Sequence, residues 1–200
     1  LGDYRGYAEN PGSPREENLA ADAQAVCTYA VETLGVPLAK IVFHGESLGG
    51  AVATRLAAEL SAAGRAPAGL ILGWTFPSLA DAGSNMYPWL PVRRFLVERY
   101  RTIEHIVEVR SPLLMLHGCE DEILPLEMGR RLFDAAPPTS HCGVPKRFVE
   151  LPAGHNDVYR VARKPFQAAV ASFLEEIWGA DSESPGPPFS GDRPLESTPS

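Results

Sequence analysis

Ser47 stands in the run Gly45-Glu46-Ser47-Leu48-Gly49, a G-x-S-x-G pattern. A serine hydroxyl is a poor nucleophile alone. It needs a neighbouring base, and the base needs a carboxylate to orient it. The chain supplies both downstream, first an acid and then a histidine. Asp121 lies in Gly118-Cys119-Glu120-Asp121-Glu122, and His155 lies in Ala153-Gly154-His155-Asn156-Asp157. Together these three residue types can move a proton from a hydroxyl to an imidazole, which is what attack on an acyl carbonyl requires.

Such a relay works only if the fold gathers residues 74 and 34 positions apart. Ala39 to Phe43 is a short apolar run that reads as a buried strand, and Gly50 to Leu60 is rich in Ala and Leu and reads as a helix. A sharp turn between them lifts the serine out of the backbone. Gly45 and Gly49 are expected to relieve crowding in that turn. Pro112 to Gly118 and Arg147 to Leu151 read as further strands, and Leu126 to Ala135 as a helix. Ser47, Asp121 and His155 then all lie just beyond the carboxyl ends of strands. In a parallel sheet those ends share one edge, where ligands bind.

Alone, an acidic Glu-Asp-Glu run reads as a solvated loop and a Gly-His turn as structural. Their order and spacing after Ser47 favour chemistry. Glu120 and Glu122 are the competing acids. Asp121 is preferred because it fits Gly-x-x-Asp after the strand and because loop amides easily fix a short carboxylate. Of the other histidines, His44 and His117 are expected to be packed at strand positions, His105 sits in a charged helical stretch, and His141 adjoins Cys142 in a loop. They form no compact metal-ligand spacing.

Two hundred residues with 44% hydrophobic and 22% charged content suit one globular domain. A net charge of −7 without a basic patch argues against nucleic acid as a partner. Cys27, Cys119 and Cys142 make no disulfide framework, which favours a reducing compartment. No apolar run is long enough to span a bilayer. Glu17 to Leu34 reads as a helix, Gly69 to Trp74 as a strand, and Val158 to Trp178 as a closing helix. Residues 75 to 110 break the strand–helix rhythm and read as a small lid or a plain crossover. Gly179 to Ser200, rich in Pro, Ser and Gly, is expected to be disordered.

The runs Asp3 to Tyr7, Gly45 to Gly50, Ser111 to Leu114, Gly118 to Pro125 and Gly154 to Asp157 together resemble the α/β-hydrolase superfamily. They are most similar to its small-lid branch of α/β-hydrolase-domain proteins, depalmitoylases, lysophospholipid hydrolases and serine aminopeptidase-like enzymes. The resemblance covers about Leu1 to Trp178. It implies a mostly parallel sheet flanked by helices, with Ser47 as nucleophile, Asp121 as acid, His155 as base and Leu48 N–H as an oxyanion donor. It implies no cofactor and no metal.

Three departures stand out. Ala8 replaces a usual Gly, and Glu46 replaces the Arg, Gln or His common before the nucleophile. The family's first three strands, with the loop that gives a second oxyanion donor, have no counterpart. Leu1 to Tyr4 is expected within the fourth strand. These 200 residues made alone are expected to be aggregation-prone and nearly inactive. The expected function is hydrolysis of an acyl ester or thioester in a small-molecule or lipidated-protein substrate. Membrane association is expected only through an upstream segment, with an intracellular or membrane-associated location. A peptidase or amidase with the same triad, or a non-catalytic module of the same fold, are the alternatives.

Overall fold

The computed structural model describes residues 4–7 and 10–179. Four strands form one parallel sheet in chain order: β1 (Val42–Glu46), β2 (Gly69–Gly73), β3 (Leu113–Gly118) and β4 (Arg147–Leu151). Strands covered on both faces read as continuous apolar runs. Every residue of β2 (Gly-Leu-Ile-Leu-Gly) and of β3 (Leu-Leu-Met-Leu-His-Gly) is buried accordingly.

Helices cover both faces. On one side α2 (Leu48–Ala62), α5 (Thr102–Ile106) and α6 (Leu126–Ala135) pack Ala57, Ile106 and Leu132 against Leu70, Leu72, Leu113 and Met115. On the other, α7 (Val158–Val161) and α8 (Arg163–Gly179) pack Val158, Ala169 and Phe173 against Ile71, Leu114, Leu116 and Leu151. Helix α1 (Glu16–Thr28) lies against α2, and its acidic first turn, Glu16 and Glu17, suits the positive end of a helix dipole. Between β2 and β3 the chain makes α3 (Leu79–Met86) and α4 (Val92–Phe95) before α5. Here Phe76 and Tyr100 are buried, while Trp89 and Phe95 are 78% and 71% exposed.

Several elements differ from expectation. The first strand begins at Val42 and runs to Glu46, because Leu38–Lys40 forms a single tight helical turn instead. The closing helix is two helices. Pro165 explains the break: it has no N–H to donate to the carbonyl of Val161, and its ring would clash with that carbonyl in a continuous helix. Tyr4 to Tyr7 is a turn, closed by Tyr7 N–H donating to the Tyr4 carbonyl at 3.0 Å. Leu1–Asp3 of the strand expected over Leu1 to Tyr4 and residues 180–200 of the expected tail lie outside the described residues.

Strand β1 pairs with β2 alone among the described residues. Beside its free edge runs a groove of about 750 Å³ bordered by α1 and α2 and lined by Val26, Phe43, His44 and Gly49. This explains a second difference. His44, expected to be packed, is exposed, since no described element covers that edge.

Candidate active site

The turn from β1 into α2 forces Ser47 to φ 49° and ψ −119°, a conformation that costs a non-glycine residue energy and persists only where its surroundings fix it. Three contacts fix it. Ser47 N–H donates to the Gly73 carbonyl at 3.0 Å, which extends the β1–β2 ladder by one residue. Gly50 N–H donates to the Ser47 carbonyl at 3.1 Å. The buried Thr75 hydroxyl donates to the same carbonyl at 2.8 Å. Close packing finishes the turn. A Cβ on Gly45 would lie 2.7 Å from the Gly49 carbonyl carbon, and a Cβ on Gly50 would lie 2.6 Å from Thr75 Cβ. Gly49, by contrast, faces open space towards the groove. The crowded pair is therefore Gly45 and Gly50, and not Gly45 and Gly49 as expected.

Asp121 and His155 meet over the ends of β3 and β4. The two loops are stitched together by Cys119 N–H to the Leu151 carbonyl (2.8 Å) and Glu120 N–H to the Ala153 carbonyl (3.0 Å). His155 Nδ1 lies 2.8 Å from Asp121 Oδ2. The other carboxylate oxygen, Oδ1, accepts from Ile123 N–H (3.0 Å) and Leu124 N–H (2.8 Å). The Asp121 side chain is fully buried and that of His155 is 12% exposed. A buried carboxylate with two backbone donors and one imidazole partner is fixed in orientation and satisfied as an anion. Glu120 and Glu122 are both exposed. With Nδ1 engaged by the carboxylate, Nε2 is the nitrogen left to take a proton.

Ser47 Oγ has no hydrogen-bond partner among the described residues. Catalytic hydrogen bonds are often loose without substrate. Leu48 opens α2, where backbone N–H groups have no intrahelical acceptor and can meet an oxyanion. The structure thus pairs Asp121 with His155 directly, and sets Ser47 and Leu48 on the same sheet edge two strands away.

Behind the acid lies His117, wholly buried as expected. Its Nε2 is 2.7 Å from the Leu124 carbonyl and 3.8 Å from Asp121 Oδ2. Among the described residues its Nδ1 has no hydrogen-bond partner, and the ring packs on Gly129, where a Cβ would come within 2.9 Å of it. Burial holds this imidazole below its ordinary pKa, outweighing the Leu124 bond and the Asp121 charge. A neutral His117 donating to Leu124 braces the loop whose amides hold Asp121. Among the described residues no group of three or more His, Cys, Asp or Glu side chains is placed to hold a metal, and no helix is long and apolar enough to cross a membrane.

No family model matches the chain. It is 43% identical over 177 residues to an uncharacterized protein of Mycobacterium tuberculosis, a match covering 88% of this chain and 59% of that protein. It is 28% identical over 148 residues to the lysophosphatidylserine lipase ABHD12 of Danio rerio, covering 67% of this chain and 38% of the lipase. An α/β-hydrolase of known crystal structure from Vibrio vulnificus superposes with a TM-score of 0.71 at 25% identity, over 86% of this chain and 62% of that one. The chain thus spans less than two thirds of the length of the relatives it matches.

Proposed function

Because the chain belongs to the α/β-hydrolase superfamily, we propose that it is a serine hydrolase that cleaves an acyl ester or thioester through Ser47, His155 and Asp121. The observation that carries this reading is the 2.8 Å contact of His155 Nδ1 with an Asp121 carboxylate locked by two backbone amides. It sits on the sheet edge that also presents Ser47 from a strained turn. An idle serine does not require positive φ, and a structural histidine does not require a buried carboxylate aimed at one ring nitrogen.

In this mechanism Ser47 Oγ attacks the substrate carbonyl while His155 Nε2 takes its proton. Asp121 holds the tautomer and stabilises the imidazolium. Leu48 N–H, at the positive end of α2, donates to the oxyanion. The imidazolium then protonates the leaving alcohol or thiol. Water, deprotonated by His155, attacks the acyl-serine, and the imidazolium returns that proton to Ser47 Oγ as the acid leaves. The lipase activity of the zebrafish relative supports an acyl ester over an amide, and lysophospholipids are then a first substrate class to try.

A fluorophosphonate probe tests the reading without knowledge of the substrate. Wild-type protein is expected to be labelled at Ser47 alone, and Ser47→Ala to be unlabelled. Undiminished labelling of Ser47→Ala removes the assignment. Comparing hydrolysis of acyl ester, acyl thioester and aminoacyl amide then ranks the leaving groups.

A further inference from the structure

The residue before the serine and a residue just after the histidine are joined directly. Tyr159 OH donates to Glu46 Oε1 across 113 positions of sequence. Glu46 ends β1, immediately before Ser47, and Tyr159 lies in α7, one helical turn beyond His155. The path between them is built. The Glu46 side chain leans over β2, where Gly73 makes room: a Cβ there would sit 3.2 Å from Glu46 Cγ. The Tyr159 ring rests edge-on against Trp74 (centroids 5.9 Å apart) and Phe166 (5.1 Å). Trp74 itself is held at φ 34°, a strained setting for so bulky a residue. Its ring is buried and its backbone N–H donates to the Leu116 carbonyl at 2.8 Å. His44 Nε2 approaches the same Glu46 oxygen at 3.3 Å.

From this geometry we infer that Tyr159 and Glu46 are positioning residues, a strap across the sheet edge that sets the distance between Ser47 and His155. The inference rests on the proposed serine hydrolase reading. Asp121 fixes how the imidazole is turned but leaves its approach to the serine open, since both Asp121 and His155 belong to β3 and β4. The strap is the side-chain hydrogen bond that runs from the β4 side of the site to β1. Its donor is preserved across the working pH range: although Tyr159 is half exposed, partial desolvation, with the Glu46 bond and charge, pushes the phenol above the usual tyrosine range. The same bond satisfies the hydroxyl of an aromatic side chain that is otherwise packed on rings.

The test uses the full chain with Tyr159→Phe, Glu46→Leu, Glu46→Gln and the Tyr159→Phe/Glu46→Leu pair. Tyr159→Phe keeps the ring packing and loses only the hydroxyl. The maximal rate of fluorophosphonate labelling is expected to fall about tenfold in Tyr159→Phe and in Glu46→Leu, with the probe's half-saturation concentration and the melting temperature unchanged. The pair is expected to fall no further than either single variant, because one bond is lost in each case. Glu46→Gln, which keeps an acceptor oxygen, is expected to restore most of the rate. Absorbance titration of the phenols supplies an independent reading, in which the latest-titrating tyrosine of the wild type is absent in Tyr159→Phe and titrates earlier in Glu46→Leu.

A labelled wild type with an equally fast Tyr159→Phe overturns the strap and leaves the hydrolase reading standing. So does a rate loss that appears only together with a lowered melting temperature. An unlabelled wild type overturns the hydrolase reading and the positioning role together, and an unshifted phenol in Glu46→Leu overturns the contact itself.

Discussion

Gly45 and Gly49 flank the serine symmetrically in sequence, yet Ala at the two positions should have opposite effects. A Cβ on Gly45 would meet backbone on every side: the Gly49 carbonyl carbon at 2.7 Å, Gly50 Cα at 2.8 Å, and the Gly49 oxygen closer still. Real Cβ atoms keep at least 3.0 Å from such neighbours. The turn must therefore open by roughly half an ångström, with no flexible side chain to absorb the change. Overpacking of this kind costs about 1–3 kcal/mol. The displaced element is the one that carries Ser47, and a misplacement near 1 Å costs on the order of a hundredfold in rate. Gly45→Ala should therefore melt several degrees lower and react with a fluorophosphonate about ten- to a hundredfold more slowly. Gly49 has no atom within 4 Å of its would-be Cβ and lies in the first turn of α2. Gly49→Ala should keep the labelling rate and gain up to about 1 kcal/mol from helix propensity. Scanning calorimetry and timed labelling of the two proteins read both effects. A Gly45→Ala protein that melts and reacts like wild type refutes the crowding argument. A Gly49→Ala protein as impaired as Gly45→Ala does so equally.

Asp121→Asn should cut turnover about a thousandfold or more, whereas Glu122→Gln should leave it nearly unchanged, as measured with a p-nitrophenyl ester. Thr75→Val, close in shape, removes the hydroxyl that donates to the Ser47 carbonyl and should cost about 1–3 kcal/mol in chemical denaturation. His117 supplies a pH signature. Its folded-state pKa lies below its ordinary value of 6.5, so the unfolded chain binds the proton more readily. The stability it contributes is complete above 6.5 and is lost as pH falls through 6.5 towards the folded value. The melting temperature should drop between about pH 7 and pH 5, and less steeply in His117→Gln, which keeps a donor for Leu124. Equal slopes in the two proteins would remove His117 from the account.

Much of the scaffold is legible because each element carries its own local signal. Apolar runs of five or six residues announce β2 and β3, the mixed run Arg-Phe-Val-Glu-Leu announces β4, and a Gly-flanked serine between strand and helix announces the turn. Which carboxylate meets His155 is also legible, since a short carboxylate reaches back to the amides of its own loop. What stays hidden is contact between distant segments. Nothing near Tyr159 says that its hydroxyl reaches β1, and nothing near Thr75 says that it holds the Ser47 carbonyl. Periodicity places His44 on a strand but cannot show that the strand is an edge among the described residues. Gly49 looks like the crowded glycine by symmetry, while three-dimensional packing assigns that role to Gly50. The interruption ahead of Pro165 is legible in hindsight, as a proline at the eighth residue of an otherwise continuous helical pattern from Val158.

The strand order has a consequence for how the protein is made. β1 to β4 lie side by side in the order of synthesis. Ser47 leaves the ribosome before Asp121, and His155 follows only after β4. A nascent chain that has not yet reached Arg147 can form the turn around Ser47, but it holds no imidazole to accept the proton. On the proposed reading the nucleophile stays chemically silent until β4 has been made and docks against β3.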